Sequence, residues 1–263
     1  MNFDAMKPEK ISDIPIDTRY LYEIKYDGGS GFIVKKNNKV DIFHNGNNTP
    51  VTYRYPELVT NCLQYLKNGI YVSELIVPSN QFPNGDFDLF QKRQVENRFK
   101  INRRKQKLPV KAIIYDILHN GTDLKNDGLL KRKEILHKSV MDSNHIQVIE
   151  SFKHPKKILD MKDTCEGIVI KELNSVYIHG KRTGWFKKRF NIERVVRFVD
   201  YEPTETGIVL LTEKQKRVNL AGKRSETARE LINNEGYVDC EISFNKETGN
   251  GFRICNVKRL IIP

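Results

Sequence analysis

Residues 22–28 read Tyr22-Glu23-Ile24-Lys25-Tyr26-Asp27-Gly28. On a strand, side chains alternate with a period of two, so Tyr22, Ile24 and Tyr26 share one face and Glu23, Lys25 and Asp27 the other. The first face is apolar and packs; the second is charged and is expected to face a pocket. Gly28-Gly29-Ser30-Gly31 follows and predicts a turn in which glycine permits positive φ. From Tyr20 to Phe43 apolar and polar residues alternate around this turn and around Asn37-Asn38, the pattern of strands joined by turns. Taken alone, a lysine between two carboxylates is an ordinary solvated ion-pair face.

Outward from this stretch the pattern is mixed. Arg54 to Leu66 has helical spacing at Leu58, Cys62 and Leu66, and Phe87 to Lys107 reads as one charged helical stretch on the surface. Val110 to Leu118 reads as a buried strand, Leu129 to Val140 as a helix with its basic residues on the wet face, and Glu166 to Lys171 as a core strand. Beyond Asn191, short strands at Val195 to Val199, Gly207 to Leu211, Tyr237 to Phe244 and Gly251 to Ile262 surround one helix, Ser225 to Asn233. A β-rich module of about 70 residues with one helix suits an OB-type barrel. The predicted class is α+β with two domains, residues 1–191 and 192–263; one continuous α+β domain is the alternative.

Composition narrows the partners. Of 263 residues, 38% are hydrophobic and 30% charged, which excludes a membrane span and wholesale disorder. Met1 to Lys10 mixes acids, bases and a proline and offers no secretory signal, so a cytoplasmic location is expected. Cys62, Cys165, Cys240 and Cys255 form no C-x-x-C pair and read as reduced thiols rather than zinc ligands. With 45 Lys+Arg against 33 Asp+Glu, the formal charge of +12 attracts polyanions, so nucleic acid is the expected partner. There is no G-x-x-x-x-G-K-[ST] to serve as a P-loop and no Ser/His/Asp ordering of a hydrolase. No oligomerisation element stands out, and a monomer is expected.

A set of motifs in order changes the weight of the first stretch. Lys25-Tyr26-Asp27-Gly28 has the form K-x-D-G. It is followed by His44-Asn45-Gly46, Tyr55-Pro56-Glu57-Leu58, Ser73-Glu74-Leu75-Ile76-Val77 and Phe87-Asp88-Leu89-Phe90-Gln91-Lys92-Arg93. Then come Ile114-Tyr115-Asp116-Ile117-Leu118, Glu166-Gly167-Ile168-Val169-Ile170-Lys171, and a basic run from Ser175 through Gly180-Lys181-Arg182-Thr183-Gly184-Trp185-Phe186-Lys187-Lys188-Arg189. From Leu21 to about Phe190 the chain resembles the ATP-dependent DNA ligases.

That resemblance implies a nucleotidyltransferase domain of antiparallel sheets with helices, ATP-grasp-like, followed by a small OB domain. It implies that Lys25 is the nucleophile that takes AMP from ATP and that the partner is nicked duplex DNA, in replication, repair or recombination, within a bacterial or virus-infected cell. A free lysine, with pKa about 10.4, is protonated at neutral pH, and Lys187 with a bound metal ion is expected to push Lys25 toward the amine. By the same resemblance Glu74 and Glu166 hold Mg²⁺, or Mn²⁺ in its place, with Glu74 also near the ribose. Tyr115 stacks on adenine, Glu23 lies at the base edge, and Asp27 and Lys171 complete the nucleotide site. Lys187 and Arg189 clamp phosphate oxygens, while His44, Lys181 and Arg182 contact nucleic acid. The chain length implies a minimal ligase without an N-terminal DNA-binding domain. Ser30 stands where ligases usually carry Arg, His44 where they often do, and the R-x-D-K ending is absent from Gly251 to Arg259, where Arg253, Lys258 and Arg259 are the alternatives for its role. The competing readings are an RNA ligase or capping-type nucleotidyltransferase, and a non-catalytic nucleic-acid-binding relative.

Overall fold

The computed structural model describes residues 3–249 and 251–262. Contacts divide the chain into two compact units, residues 1–189 and 190–263. In the first unit the elements run β1 (Glu9–Lys10), β2 (Tyr20–Lys25), β3 (Gly29–Lys36), β4 (Lys39–His44), α1 (Pro56–Tyr65) and β5 (Gly69–Ile76). They continue with α2 (Phe87–Arg93), α3 (Arg98–Lys107), β6 (Lys111–His119), α4 (Leu129–Ser139), β7 (Ile146–Val148), β8 (Ser151–Phe152), α5 (Lys156–Asp160), β9 (Gly167–Glu172) and β10 (Trp185–Arg189).

These strands form two five-stranded sheets, ordered β1-β10-β9-β2-β8 and β4-β3-β5-β6-β7. Pairing is antiparallel except for β1 with β10 and β6 with β7. The second sheet is covered on both faces. Ile33, Ile42, Leu75 and Ile114 pack with Leu58 and Cys62, the i, i+4 stripe of α1. On the other face Phe32 and Val72 pack with Trp185, Tyr177 and Leu129. Fully burying each such side chain contributes about 1.5–3 kcal/mol.

Several expectations are corrected here. β2 stops at Lys25, so Tyr26 and Asp27 lie in the loop beyond it. Phe87 to Lys107 is two helices, because Asn97 caps a fresh start by accepting from Lys100 N at 3.1 Å. On α4, Arg132 and Lys133 are buried with Leu129 and Leu136, not on the wet face. Gly28, Gly29 and Gly31 do not adopt positive φ. What Gly28 supplies is room: a Cβ there would sit 2.2 Å from the Leu75 carbonyl oxygen.

The second unit contains β11 (Ile192–Phe198), β12 (Asp200–Thr204), β13 (Gly207–Leu211), β14 (Arg217–Ala221), α6 (Lys223–Glu235), β15 (Val238–Phe244), β16 (Lys246–Thr248), β17 (Gly251–Arg253) and β18 (Asn256–Ile261). Its core alternates along β15, where Val238, Cys240, Ile242 and Phe244 are buried against Ala228 and Ile232 of α6. The composition suits an OB-type module, but among the described residues the strands form two sheets, β11-β15-β18 and β12-β13-β14-β17-β16, rather than one closed barrel. Gly251 to Ile262 is broken at Ile254, whose φ of 52° lies in the left-handed region. No helix among the described residues is long and apolar enough to cross a membrane.

Candidate active site

The cross-strand register of β10, β9 and β2 builds the site. Lys187 stands opposite Val169 and Val169 opposite Glu23; the next row is Arg189, Gly167 and Lys25; the row before is Trp185, Lys171 and Leu21. Successive rows are two residues apart, so all three share one face. The opposite face carries Tyr22, Ile24, Ile168 and Ile170, which are buried. Glu166 precedes β9 and so escapes its alternation, which lets it serve the same side as Lys171.

Over the charged face lies a cavity of about 230 Å³. Glu23, Lys25, Glu74, Tyr115, Lys171, Arg182 and Lys187 all line it. Glu166 and Arg189 join the group through Lys25: one Glu166 oxygen pairs with the Lys25 ammonium, and the other accepts from Arg189 Nε at 2.7 Å. Burial would raise the Glu166 carboxyl, but Lys25 and Arg189 outweigh it and hold it below the usual range. Lys187 is lowered by burial and then by the neighbouring cations Lys25, Arg189 and Arg182. Burial, with Glu166 and Asp27 as like charges, pushes the Glu74 carboxyl up to about 8, against the opposing pull of Lys25.

The inner end of the cavity is a buried charge cluster. Glu23 pairs with Lys133 of α4 through Oε1 and with Lys171 through Oε2 at 2.7 Å, and accepts from Ser151 Oγ at 2.8 Å. Burial would raise the Glu23 carboxyl; the two ammonium groups reverse that and hold it at about 2. Burial lowers Lys171 to about 8 against the pull of Glu23. The Lys171 ammonium lies 4.5 Å from the Tyr115 ring centroid and 4.1 Å from that of Trp185, a double cation–π contact. The hydroxyls of Tyr115 and Ser30 share a hydrogen bond at 3.3 Å.

Three expected residues lie elsewhere. Asp27 accepts from Phe87 N at 3.3 Å, and its own N–H donates to Asn84 O at 3.1 Å, which ties the loop after Lys25 to the start of α2. His44 is turned toward Tyr55, with Nε2 2.7 Å from the Tyr55 hydroxyl, and burial followed by Arg54 lowers its imidazole. Lys181 is exposed and does not line the cavity. Sequence reasoning missed Lys133, Ser151 and the segment Ala5 to Pro8, which also lines the cavity. Lys133 had a signal: Leu129, Lys133 and Leu136 fall at i, i+4 and i+7, the spacing of a buried stripe. Among the described residues no three His, Cys, Asp or Glu side chains converge as a metal-ligand cluster.

Other motif residues brace the unit. Glu57 of the Tyr-Pro-Glu-Leu segment accepts from the buried Arg93 at 3.0 and 3.1 Å and from Val110 N at 3.2 Å. Asp116 forms a two-pronged pair with Arg132 at 2.9 Å on each prong, both side chains fully buried.

The chain is 30% identical over 182 residues to a DNA ligase of Hyperthermus butylicus, covering 64% of this chain and 29% of that one. It is 26% identical over 203 residues to the SPbeta prophage-derived DNA ligase-like protein LigB of Bacillus subtilis, covering 75% and 67%. The chain spans about a third of the length of most of the curated relatives it matches, for instance 31% of a Methanosphaera stadtmanae DNA ligase. In fold it matches a solved Lig E DNA ligase with a TM-score of 0.67 at 13% identity, over 98% of this chain and 99% of that one. The ATP dependent DNA ligase domain model matches residues 5–189, the whole stretch that carries the cavity, and on that ground the chain belongs to the ATP-dependent DNA ligase domain family.

Proposed function

We propose that this chain is an ATP-dependent DNA ligase that seals 5′-phosphate/3′-hydroxyl nicks in duplex DNA through an AMP adduct on Lys25. One observation carries the reading: Lys25, Arg182 and Lys187 line one cavity, and Glu166 joins Arg189 to Lys25 beside it. Cations held against their mutual repulsion beside a cavity suit a polyphosphate, which relieves that repulsion.

In the first step the Lys25 amine attacks the α-phosphorus of ATP. The N–P bond forms, the bond to the oxygen bridging the β-phosphorus breaks, pyrophosphate leaves, and the lysine proton passes to solvent. Glu166 aims Lys25 and Arg189 together, one from each oxygen, and Arg189 with Lys187 takes up charge on the phosphoryl oxygens. Tyr115 forms the wall for adenine, and Glu23 holds Lys171 beside the base edge. Asp27 acts from the loop as a positioning residue. In the second step an oxygen of the nick 5′-phosphate attacks the AMP phosphorus and releases Lys25. In the third the 3′-hydroxyl attacks the 5′-phosphate, the backbone ester forms and AMP departs. Lys181 and Arg182 are the cations for the nick phosphate.

Glu74 and Glu166 fit a divalent cation, because carboxylate oxygens suit Mg²⁺ or Mn²⁺ and Glu74 lines the cavity beside Lys25, to which Glu166 is paired. Such an ion, when bound, neutralises phosphoryl charge. Residues 192–263 serve as the module that grips the duplex backbone, and the protein works as a cytoplasmic monomer.

The test incubates the full chain with ATP, Mg²⁺ and a duplex labelled at the internal 5′-phosphate of a nick. Sealed strand and an AMP–protein adduct are expected, with both lost in Lys25→Ala. A wild-type protein that forms no adduct overturns the proposal, and a GMP adduct formed in preference to AMP redirects it to capping chemistry.

A further inference from the structure

Helix α3 has the sequence RFKINRRKQK, with six basic residues, Arg98, Lys100, Arg103, Arg104, Lys105 and Lys107, and no acid. Ile101 is its single buried residue. None of the six basic residues has an acidic partner within the helix, and Arg104 donates to the Lys92 carbonyl. Phe99 projects from the same helix with 84% of its surface exposed, the most exposed large apolar side chain among the described residues. The helix has no acid to balance its charges at i, i+4, and Phe99 adds an exposed aromatic ring to the same basic surface. Nothing in the adenylylation site uses α3.

Its place in the fold ties it to the site. Phe87 N donates to Asp27, two residues beyond Lys25, so α2 begins at the nucleophile's loop. Seven helical residues add about 10 Å, and the four residues from Gln94 to Asn97 add at most about 14 Å. The start of α3 therefore lies within about 25 Å of that loop, less than the ~34 Å of one duplex turn. The helix itself is about 15 Å long and can follow several phosphates.

We propose that α3 is a DNA-contacting surface separate from the motif residues: its exposed cations follow the phosphate backbone of duplex flanking the nick, and Phe99 packs on a sugar or base of that duplex. The identity of the partner rests on the ligase reading; the presence of the surface does not.

The experiment measures binding of a fluorescent nicked duplex by anisotropy across about 50–200 mM NaCl. It compares wild type, Arg103→Gln/Lys107→Gln and Phe99→Ala, with adduct formation and circular-dichroism melts measured alongside. The double variant is expected to bind more weakly and to flatten the slope of log K against log[NaCl] by about 1.8, the value for two lost phosphate contacts. Phe99→Ala is expected to weaken binding and to leave the slope unchanged, because it removes no charge. Lysyl-AMP formation and melting stay at wild-type values in both. Variants that fold and bind as wild type overturn the proposal, as does a wild-type chain that forms the adduct yet does not bind duplex. Normal, α3-dependent binding without any adduct leaves the surface standing and removes the ligase reading.

Discussion

Glu23→Gln tests whether the inner charge cluster holds the first unit together. Gln keeps the shape of the side chain and removes the charge, leaving Lys133 and Lys171 side by side and both buried. A carboxyl held at about 2 in the folded protein and near 4.5 in the unfolded chain contributes about 3 kcal/mol at neutral pH. Removing one partner of a buried ion pair typically costs about 3–5 kcal/mol, so the two routes to the number agree. For a protein of this size that lowers the melting temperature by about 6–12 °C. The sign with pH is fixed by the depressed carboxyl: the contribution is complete above about 4.5 and disappears as pH falls through about 2. Calorimetry on wild type and Glu23→Gln at pH 7 and at several values down to pH 2.5 should show a gap that is largest at pH 7 and narrows below about 4.5. A gap under about 1 kcal/mol at pH 7, or one that persists undiminished in acid, refutes the assignment.

Arg132→Met strands Asp116 in a site where both side chains are fully buried, and urea unfolding should show a loss of about 3–5 kcal/mol; a loss under about 1 kcal/mol contradicts the brace. Gly28→Ala drives a methyl to within 2.2 Å of the Leu75 carbonyl oxygen. A misplacement of about 1 Å in the loop after Lys25 should slow adduct formation by about a hundredfold in a single-turnover assay, and a wild-type rate rules out that constraint.

The strand that carries Lys25 and the order of the motifs were legible, because they rest on local patterns: a period of two, turn residues, and composition. Part of what was not legible depends on contacts distant in sequence. Lys133 looked like one of several basic residues on a wet helical face, and only Glu23, 110 residues away, makes it a buried partner. Gly28 reads as a turn glycine in any local window, whereas the structure needs its missing Cβ because β5 passes against it. Asn97 was readable as a cap but lay hidden in a run of charge that suggested one continuous helix. β12 escaped notice because Asp200 to Thr204 is mostly exposed and contains Pro203, so neither alternation nor composition marks it as a strand.

The ion pairs also join segments that lie far apart in the chain. Glu57 needs Arg93, Asp116 needs Arg132, Glu23 needs Lys171, and Glu166 joins Lys25 to Arg189. Buried pairs add little net stability over apolar packing, but each is expensive to leave half-made. That asymmetry selects register. A slip of β2 by one residue against β9 would turn Glu23 to the face now held by Tyr22 and Ile24, and leave Lys133 and Lys171 buried without a counter-charge. The same slip would carry Lys25 off the cavity face and away from Glu166. The charges that place Lys25 beside Glu166 and Arg189 are therefore tied, by the penalty for any other pairing, to the one strand register that builds the cavity.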